Sequence, residues 1–321
     1  MNILTVKNLN IGFNLSDGFR QAVYNVNFEL NKGETLAIVG ESGCGKTIST
    51  MSILRLLPET AEIKSGEILY HGENLLDYPQ KQMQKIRGKK IALIPQDPMT
   101  SLNPLYTIGN QLLEVIELHQ GAKGKEAFNI AVKALEKVKI PDAKEKMNAY
   151  PHEFSGGMKQ RVIIAMALAC NAEIIIADEP TTALDVTVQA QIMDILKEIK
   201  EKDNISIILI THDLGIVAQN ADKIAVMYAG RIVEYAPNRE LFENPKHPYT
   251  KALLNVILDI NTKKIETIDG QPPSITDNIT GCPFHPRCID CFRKCTETEP
   301  VLKNLNPKHK SACHLYDKDT K

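Results

Sequence analysis

The chain has 321 residues, room for one large domain with an appendage or for two ordinary domains. Hydrophobic residues at 43% and charged residues at 24% are the balance of a globular protein, which excludes disordered and fibrous classes. A formal net charge of −1 gives no overall pull toward nucleic acid or anionic lipid, so no nucleic-acid partner is expected.

No apolar run approaches the roughly 18 residues that span a bilayer. The opening MNILTVKNLNIGF lacks the basic, apolar and small-residue regions of a secretory signal. The expected compartment is the cytosol, where disulfides are rare.

Along the chain, VYNVNFEL (Val23–Leu30) and SGEILYHGENL (Ser65–Leu75) read as antiparallel strands joined by tight turns. Between them TLAIV (Thr35–Val39) is a short buried strand, followed by GESGCGKT (Gly40–Thr47) and a helical run ending near Pro58. This is the P-loop pattern G-x-x-x-x-G-K-[ST] in its strand–loop–helix context. The expected nucleotide contacts are Gly40, Ser42, Gly43, Cys44, Gly45, Lys46 and Thr47. Glycines let backbone N–H groups turn inward onto phosphate oxygens. Lys46 reaches the terminal phosphates, and Thr47 offers a hydroxyl to Mg²⁺.

IALI (Ile91–Ile94) is the next strand, with Gln96 just beyond it. From Ser101 to Tyr150 the strand signal disappears. Phe128, Val132, Leu135 and Val138 recur there at helical spacing, predicting a helical insert over about residues 101–165. IIIADEP (Ile174–Pro180) is a buried strand that presents Asp178, a candidate Mg²⁺ ligand, and Glu179, a candidate for polarising the attacking water. An amphipathic helix follows over Val186–Ile199, with Val188, Ile192, Ile195, Leu196 and Ile199 on its apolar face. The strand ISIILI (Ile205–Ile210) leads to His212, and IAVM (Ile224–Met227) is the last strand of the alternation. Alternating strands and helices imply an α/β fold with a mostly parallel sheet.

Beyond about Ala236 prolines cluster, marking a looser appendage over 236–321 after a body at 1–235. Five of the seven cysteines fall there, and in a reducing compartment they read as metal or cluster ligands. Cys44 and Cys170 read as small packing residues, with Cys44 also an oxidation target.

The ordered set GESGCGKT, Gln96, FSGGMKQR (Phe154–Arg161), IIIADEP, Thr182-Ala183-Leu184-Asp185 and His212 resembles the nucleotide-binding subunit of ABC transporters, from Leu4 to Tyr235. The resemblance implies an ABC-type P-loop NTPase with an antiparallel β subdomain and a helical insert. It also implies a head-to-tail dimer that sandwiches two ATP molecules. Glu179, His212 and Gln96 would be catalytic, and Thr47, Gln96 and Asp178 would hold Mg²⁺. Ser155, Gly156 and Gly157 would close over the partner's ATP, and Phe13 would stack on adenine, with Phe19 and Tyr24 as rivals. Two departures stand out: Met158 replaces the usual glutamine of the signature, and Phe154 the commoner leucine.

The phrases PQDPMTSLNPLYTIGNQLLE, AGRIVEYAPNRELFENPKHPYTKALL and GCPFHPRC extend the resemblance to the dipeptide and oligopeptide importer branch. That branch implies an ATP-hydrolysing subunit at the cytoplasmic face of the cell membrane. Its partners would be two membrane-spanning permease subunits, a second ATPase subunit (related or identical) and an extracytoplasmic peptide-binding protein. A nickel or other small-solute importer is the alternative, and a soluble ABC-type ATPase acting on nucleic acid or ribosomes a more remote one. The branch also implies that Cys282, Cys288, Cys295 and Cys313, spaced C-x5-C-x6-C-x17-C, hold a [4Fe–4S] cluster in a C-terminal metal-binding extension. Cys288 and Cys291 form a C-x2-C pair, and His285, His309 and His314 are further donors, so Zn²⁺ stays open.

Overall fold

The structure is a computed structural model describing residues 2–16, 18–182, 184–258, 268–277 and 279–317. Ala183, in the loop expected after the second acidic motif, lies outside the described residues.

Two long strands open the chain: β1 (Asn2–Leu15) and β2 (Gly18–Asn31) pair antiparallel from Asn2↔Asn31 to Leu15↔Gly18. Asn8 and Asn25, at φ +48° and +47°, sit where the register shifts. Asparagine tolerates the left-handed backbone such bulges need. Next, β3 (Thr35–Val39) is buried at all five positions, as a parallel strand covered on both faces requires. The helix α1 (Lys46–Met51) follows. Then β4 (Ala61–Tyr70) and β5 (Glu73–Asn74) complete an antiparallel sheet in the order β2-β1-β4-β5.

The middle of the chain runs α2 (Gln80–Ile86), β6 (Ile91–Ile94), α3 (Pro98–Ser101), α4 (Ile108–Gln120), α5 (Gly124–Lys137), α6 (Ala143–Lys146), α7 (Gly156–Ala169), β7 (Ile174–Asp178), α8 (Val186–Asp203) and β8 (Ser206–Thr211). The last stretch runs α9 (Leu214–Asn220), β9 (Lys223–Tyr228), β10 (Arg231–Pro237), α10 (Asn238–Glu243), α11 (Pro248–Leu258), α12 (Arg293–Glu297), β11 (Lys303–Asn306) and β12 (His309–Ser311).

These elements form two compact units. One gathers Met1–Asn31, Thr35–Leu76 and Thr211–Lys321; the other gathers Lys32–Glu34 and Asp77–Ile210. In the first unit β3 pairs parallel with β9, and β9 pairs antiparallel with β10. A two-residue turn joins β9 to β10, with Ala229 at φ +45° and Gly230 at φ +78°. Both positive values suit the twist of a tight hairpin. A Cβ on Gly230 would sit 2.1 Å from the Ala22 carbonyl oxygen, so only glycine fits there.

The C-terminal stretch is less loose than its prolines suggest. β12 pairs with β10 and β11 with β12, extending the sheet that carries β9 and β3. Tyr249, Leu254, Cys282, Phe284 and Cys295 share one buried core with Ala37, Val39, Val226 and Tyr228. Through that shared core, the stretch expected to be a looser appendage packs on the strands of the body.

In the second unit β6, β7 and β8 pair parallel, with Ile91↔Ile174 and Ile174↔Ser206 in register. The helical insert is present, with α5 packed on α4 and α7. Its buried positions are Ala127, Ala131, Ala134 and Leu135, while Phe128 and Val132 are half-buried beside them. Small alanines let the helices approach closely, and the larger side chains fill the flanks. α8 buries Ile192, Met193, Ile195, Leu196 and Ile199, close to the predicted stripe. Among the described residues no helix is long and apolar enough to cross a membrane.

Candidate functional site: a phosphate loop and an acidic strand end

In the first unit the phosphate loop leaves β3 at Gly40, whose φ of +155° and tight packing exclude a side chain. A Cβ there would lie 2.1 Å from the Met227 carbonyl oxygen. Gly45, at φ +100°, is the N-cap of α1. Lys46 is buried, and its Nζ donates to the carbonyl oxygens of Gly40 at 2.8 Å and Glu41 at 3.0 Å. Its ammonium is thus held inside the curl of the loop. Ser42, Gly43 and Thr47 are exposed along the loop's rim. The Cys44 thiol is buried and pushed up from its ordinary pKa by that burial, which makes it a packing group and a poor oxidation target. Its carbonyl accepts from Gly230 N at 2.9 Å, tying the loop to the β9–β10 turn.

The three candidate aromatics all lie in this unit. The face of Tyr24 is covered by the Arg231 guanidinium at 3.7 Å, and Lys64 sits over Phe19 at 4.5 Å. Phe13, half-buried in β1, has no such cation stacked on it among the described residues. His212 follows β8 directly and is exposed.

In the second unit β7 ends at Asp178, which is buried, and Glu179 comes next at φ +44°. A left-handed glutamate costs backbone energy, and such strain concentrates at functional positions. Its N–H donates to the Ile210 carbonyl at 2.9 Å. Its Oε2 accepts from Gln96 Nε2 at 3.0 Å and from Thr182 Oγ1 at 2.9 Å. Gln96, Glu179 and Thr182 are therefore brought together, with one carboxylate oxygen fixed by two donors. Just past Gln96, Asp97 caps α3 by accepting from Met99 N at 2.7 Å.

Ser155 is the N-cap of α7 and accepts from Met158 N at 3.4 Å, so the signature residues open a helix. Gly156 has room around it, whereas a Cβ on Gly157 would lie 2.5 Å from Val188 Cγ1. Gly157 thus has a packing reason, contact with α8, that its motif does not advertise.

The family described as "ABC transporter" matches residues 23–182, and "Oligopeptide/dipeptide transporter, C-terminal region" matches 233–295. The dipeptide transport ATP-binding protein DppD of Bacillus subtilis (strain 168) is 48% identical over 318 residues, covering 98% of this chain and 95% of that protein. The oligopeptide transport ATP-binding protein OppD of Haemophilus influenzae (strain ATCC 51907 / DSM 11121 / KW20 / Rd) is 49% identical over 315 residues, covering 98% and 97%. This chain belongs to the ATP-binding subunits of ABC transporters. Among solved structures, the dimeric ATP-binding cassette MJ0796 in a post-hydrolysis state with ADP and Pi aligns with a TM-score of 0.66 at 30% identity. It covers 74% of this chain and 99% of that one.

The C-terminal stretch of this ABC subunit carries five of the seven cysteines. Cys282, Cys288, Cys295 and Cys313 line one pocket, together with His247, Phe284 and His314. Burial pushes the Cys282 thiol up to about 11 and Cys288 to about 12. Uncoordinated, they are neutral thiols, and binding a metal there must displace protons. Among the described residues no group of three or more His, Cys, Asp or Glu side chains is arranged to hold a metal ion. The expectation of a formed metal site is therefore not met, although the four thiols do share the pocket.

Two of the alternative donors are placed elsewhere. Cys291 is exposed and outside the pocket lining. His309 is fully buried against Glu234 at 2.7 Å and Glu240 at 3.3 Å. Both ring nitrogens of His314 are also engaged, by Asp317 and the Thr298 carbonyl. Sequence reasoning missed Arg287 as well: its guanidinium forks onto both carboxylate oxygens of Glu41 in the phosphate loop, at 2.7 and 3.0 Å.

Proposed function

We infer that the chain is the ATP-hydrolysing subunit of an ABC importer for dipeptides or oligopeptides. The observation that carries this reading is near-full-length identity with peptide-transport ATPases, joined to the match of residues 233–295 with their C-terminal region. No observation favours a nickel carrier or a nucleic-acid ATPase.

The residue roles follow from the chemistry each position offers. The loop from Gly40 to Gly45 cradles phosphate oxygens with backbone N–H groups, and Lys46 reaches the terminal phosphates. Thr47, Gln96 and Asp178 offer hard oxygen donors of the kind that suit Mg²⁺, which neutralises charge on the β- and γ-phosphates. Glu179 accepts a proton from the water that attacks the γ-phosphate, with Gln96 and Thr182 orienting its carboxylate. His212 acts on the same phosphate. Ser155, Gly156 and Gly157 serve the nucleotide of the second ATPase subunit, whose dimerisation drives the cycle. Phe13 stacks on adenine, since the faces of its rivals already carry cations.

Met99, Leu105 and Tyr106, which follow Gln96 in the chain, are exposed apolar side chains available for docking a permease. Two permease subunits and an extracytoplasmic peptide-binding protein complete the assembly, which places this chain at the cytoplasmic face of the membrane. The ATPase body spans 1–235 and the extension 236–321. The four pocket thiols, Cys282, Cys288, Cys295 and Cys313, are assigned to a [4Fe–4S] cluster, with Zn²⁺ as the alternative.

The test is reconstitution with the permease pair and the binding protein. Hydrolysis stimulated by di- or oligopeptides supports the reading; stimulation by Ni²⁺ and not by peptide overturns it. Iron, sulfide and zinc analysis of anaerobically purified chain decides between cluster and zinc.

A further inference from the structure

Glu41 occupies a position that the P-loop pattern leaves open, yet nearly every polar atom it has is committed. Its N–H donates to Tyr249 Oη at 3.0 Å, and its carbonyl oxygen accepts from Lys46 Nζ at 3.0 Å. Its carboxylate is held bidentate by Arg287. Tyr249, in α11, is fully buried, and the Arg287 side chain is only 5% exposed. Arg287 is held in turn: its Nε donates to the Asp269 carbonyl at 3.0 Å, and one terminal nitrogen reaches Tyr228 Oη at 3.4 Å. Behind this contact Tyr228, Tyr249 and Phe284 form a ring cluster with centroids 4.6–5.3 Å apart. Phe284 lines the cysteine pocket, and Arg287 immediately precedes Cys288.

We propose that Arg287 and Tyr249 of the C-terminal extension are positioning residues for the phosphate loop, acting through Glu41, so that nucleotide affinity depends on the cysteine-bearing segment. The proposal rests on the reading of residues 40–47 as the nucleotide loop. Two physical effects act together. The fork and the tyrosine hydroxyl fix the backbone where the loop leaves β3, so less ordering remains to be done when phosphates bind. The guanidinium also neutralises a carboxylate that would otherwise stand, unscreened and partly buried, in a loop built to receive anions.

The second effect makes the proposal separable from simple destabilisation. In Arg287→Ala the carboxylate is left unpaired beside the phosphates, and affinity falls by about tenfold. Adding Glu41→Gln removes that charge and recovers most of the loss, although it repairs no packing. Arg287→Lys keeps the charge without the fork and falls between wild type and Arg287→Ala. Tyr249→Phe removes one hydroxyl only and weakens binding a few-fold.

The experiment is calorimetric binding of a non-hydrolysable ATP analogue with Mg²⁺ to the full chain, purified anaerobically, at low and high salt. Arg239→Ala, which breaks an exposed pair with Glu243, is the control and binds as wild type does. A defect in Arg287→Ala that shrinks with salt and is relieved by Glu41→Gln supports the proposal. Binding by Arg287→Ala within twofold of wild type overturns it, as does a loss that Glu41→Gln leaves untouched. If Lys46→Ala binds as tightly as wild type, the nucleotide-loop reading falls first and the proposal falls with it.

Discussion

Glu234 lies in β10 with no solvent exposure, and its carboxylate serves three donors. Oε1 accepts from Lys246 N at 2.6 Å and pairs with His309 Nε2 at 2.7 Å, while Oε2 accepts from His247 N at 2.8 Å. These bonds join β10 to the start of α11 and to β12. Glu234→Gln keeps the shape but has only one acceptor oxygen. If that oxygen stays with Lys246 N and His309, the amide N–H groups face His247 N, donor against donor. One charge-assisted hydrogen bond is lost and a buried donor is stranded, a cost of about 2–4 kcal/mol. Unfolding entropy of about 2.1 cal/mol/K per residue over 321 residues is roughly 0.7 kcal/mol/K. The melting temperature should therefore fall by about 3–6 °C if the chain unfolds as one.

The pH dependence sharpens the test. Burial alone would lower the His309 pKa, but the Glu234 and Glu240 carboxylates outweigh it and the net shift is upward. A histidine raised in the fold contributes stability that is fully present below its unfolded value of about 6.5. That contribution is lost as pH rises through the folded value. His247 acts in the other direction: burial lowers it to about 4, so it costs stability only below about 6.5. As pH rises above about 6.5 the wild-type melting temperature should decline through His309, and in Glu234→Gln that decline should flatten. Differential scanning calorimetry across this window measures both effects. A drop under 1 °C with an unchanged pH slope would refute the assignment of Glu234 as the keystone of this junction.

Glu179→Gln should cut hydrolysis by at least about a hundredfold while nucleotide binding persists, read as phosphate release against equilibrium binding. Gly157→Ala should destabilise by about 1–3 kcal/mol, because its Cβ would meet Val188 at 2.5 Å; urea unfolding should show Val188→Ala recovering part of the loss. Cys282→Ser should lower the iron content of anaerobically purified chain, and unchanged iron would remove this residue from the ligand set. Leu105→Asp should abolish co-purification with the permease subunits without altering ATP binding, since its apolar side chain is 80% exposed in the segment that follows Gln96.

What was legible in the sequence was local. TLAIV, IALI, IIIAD and the run ending at Thr211 are continuous apolar strands, and a buried parallel strand has to look like that. Gly40 and Gly45 are required by backbone angles that a motif records faithfully. Helix periodicity found α5 and α8, but it weighted Phe128 and Val132 over the alanines, because a hydropathy reading undervalues small residues at close helix contacts.

The rest depended on pairs far apart in the chain. Arg287 and Glu41 are separated by 246 positions, and His309 and Glu234 by 75. No spacing rule connects such partners. Read alone, Glu41, Arg287 and Glu234 are ordinary surface charges and His309 a spare metal donor, and only burial turns each into a fixed bond. Glu41 makes the point most sharply, because the motif that identified its neighbours treats its position as a free choice. The motif records what phosphate demands of any such loop. What holds this particular loop in place is set by the chain packed behind it. In this ABC subunit that chain is the cysteine-bearing C-terminal stretch, which clustered prolines had marked as a looser appendage.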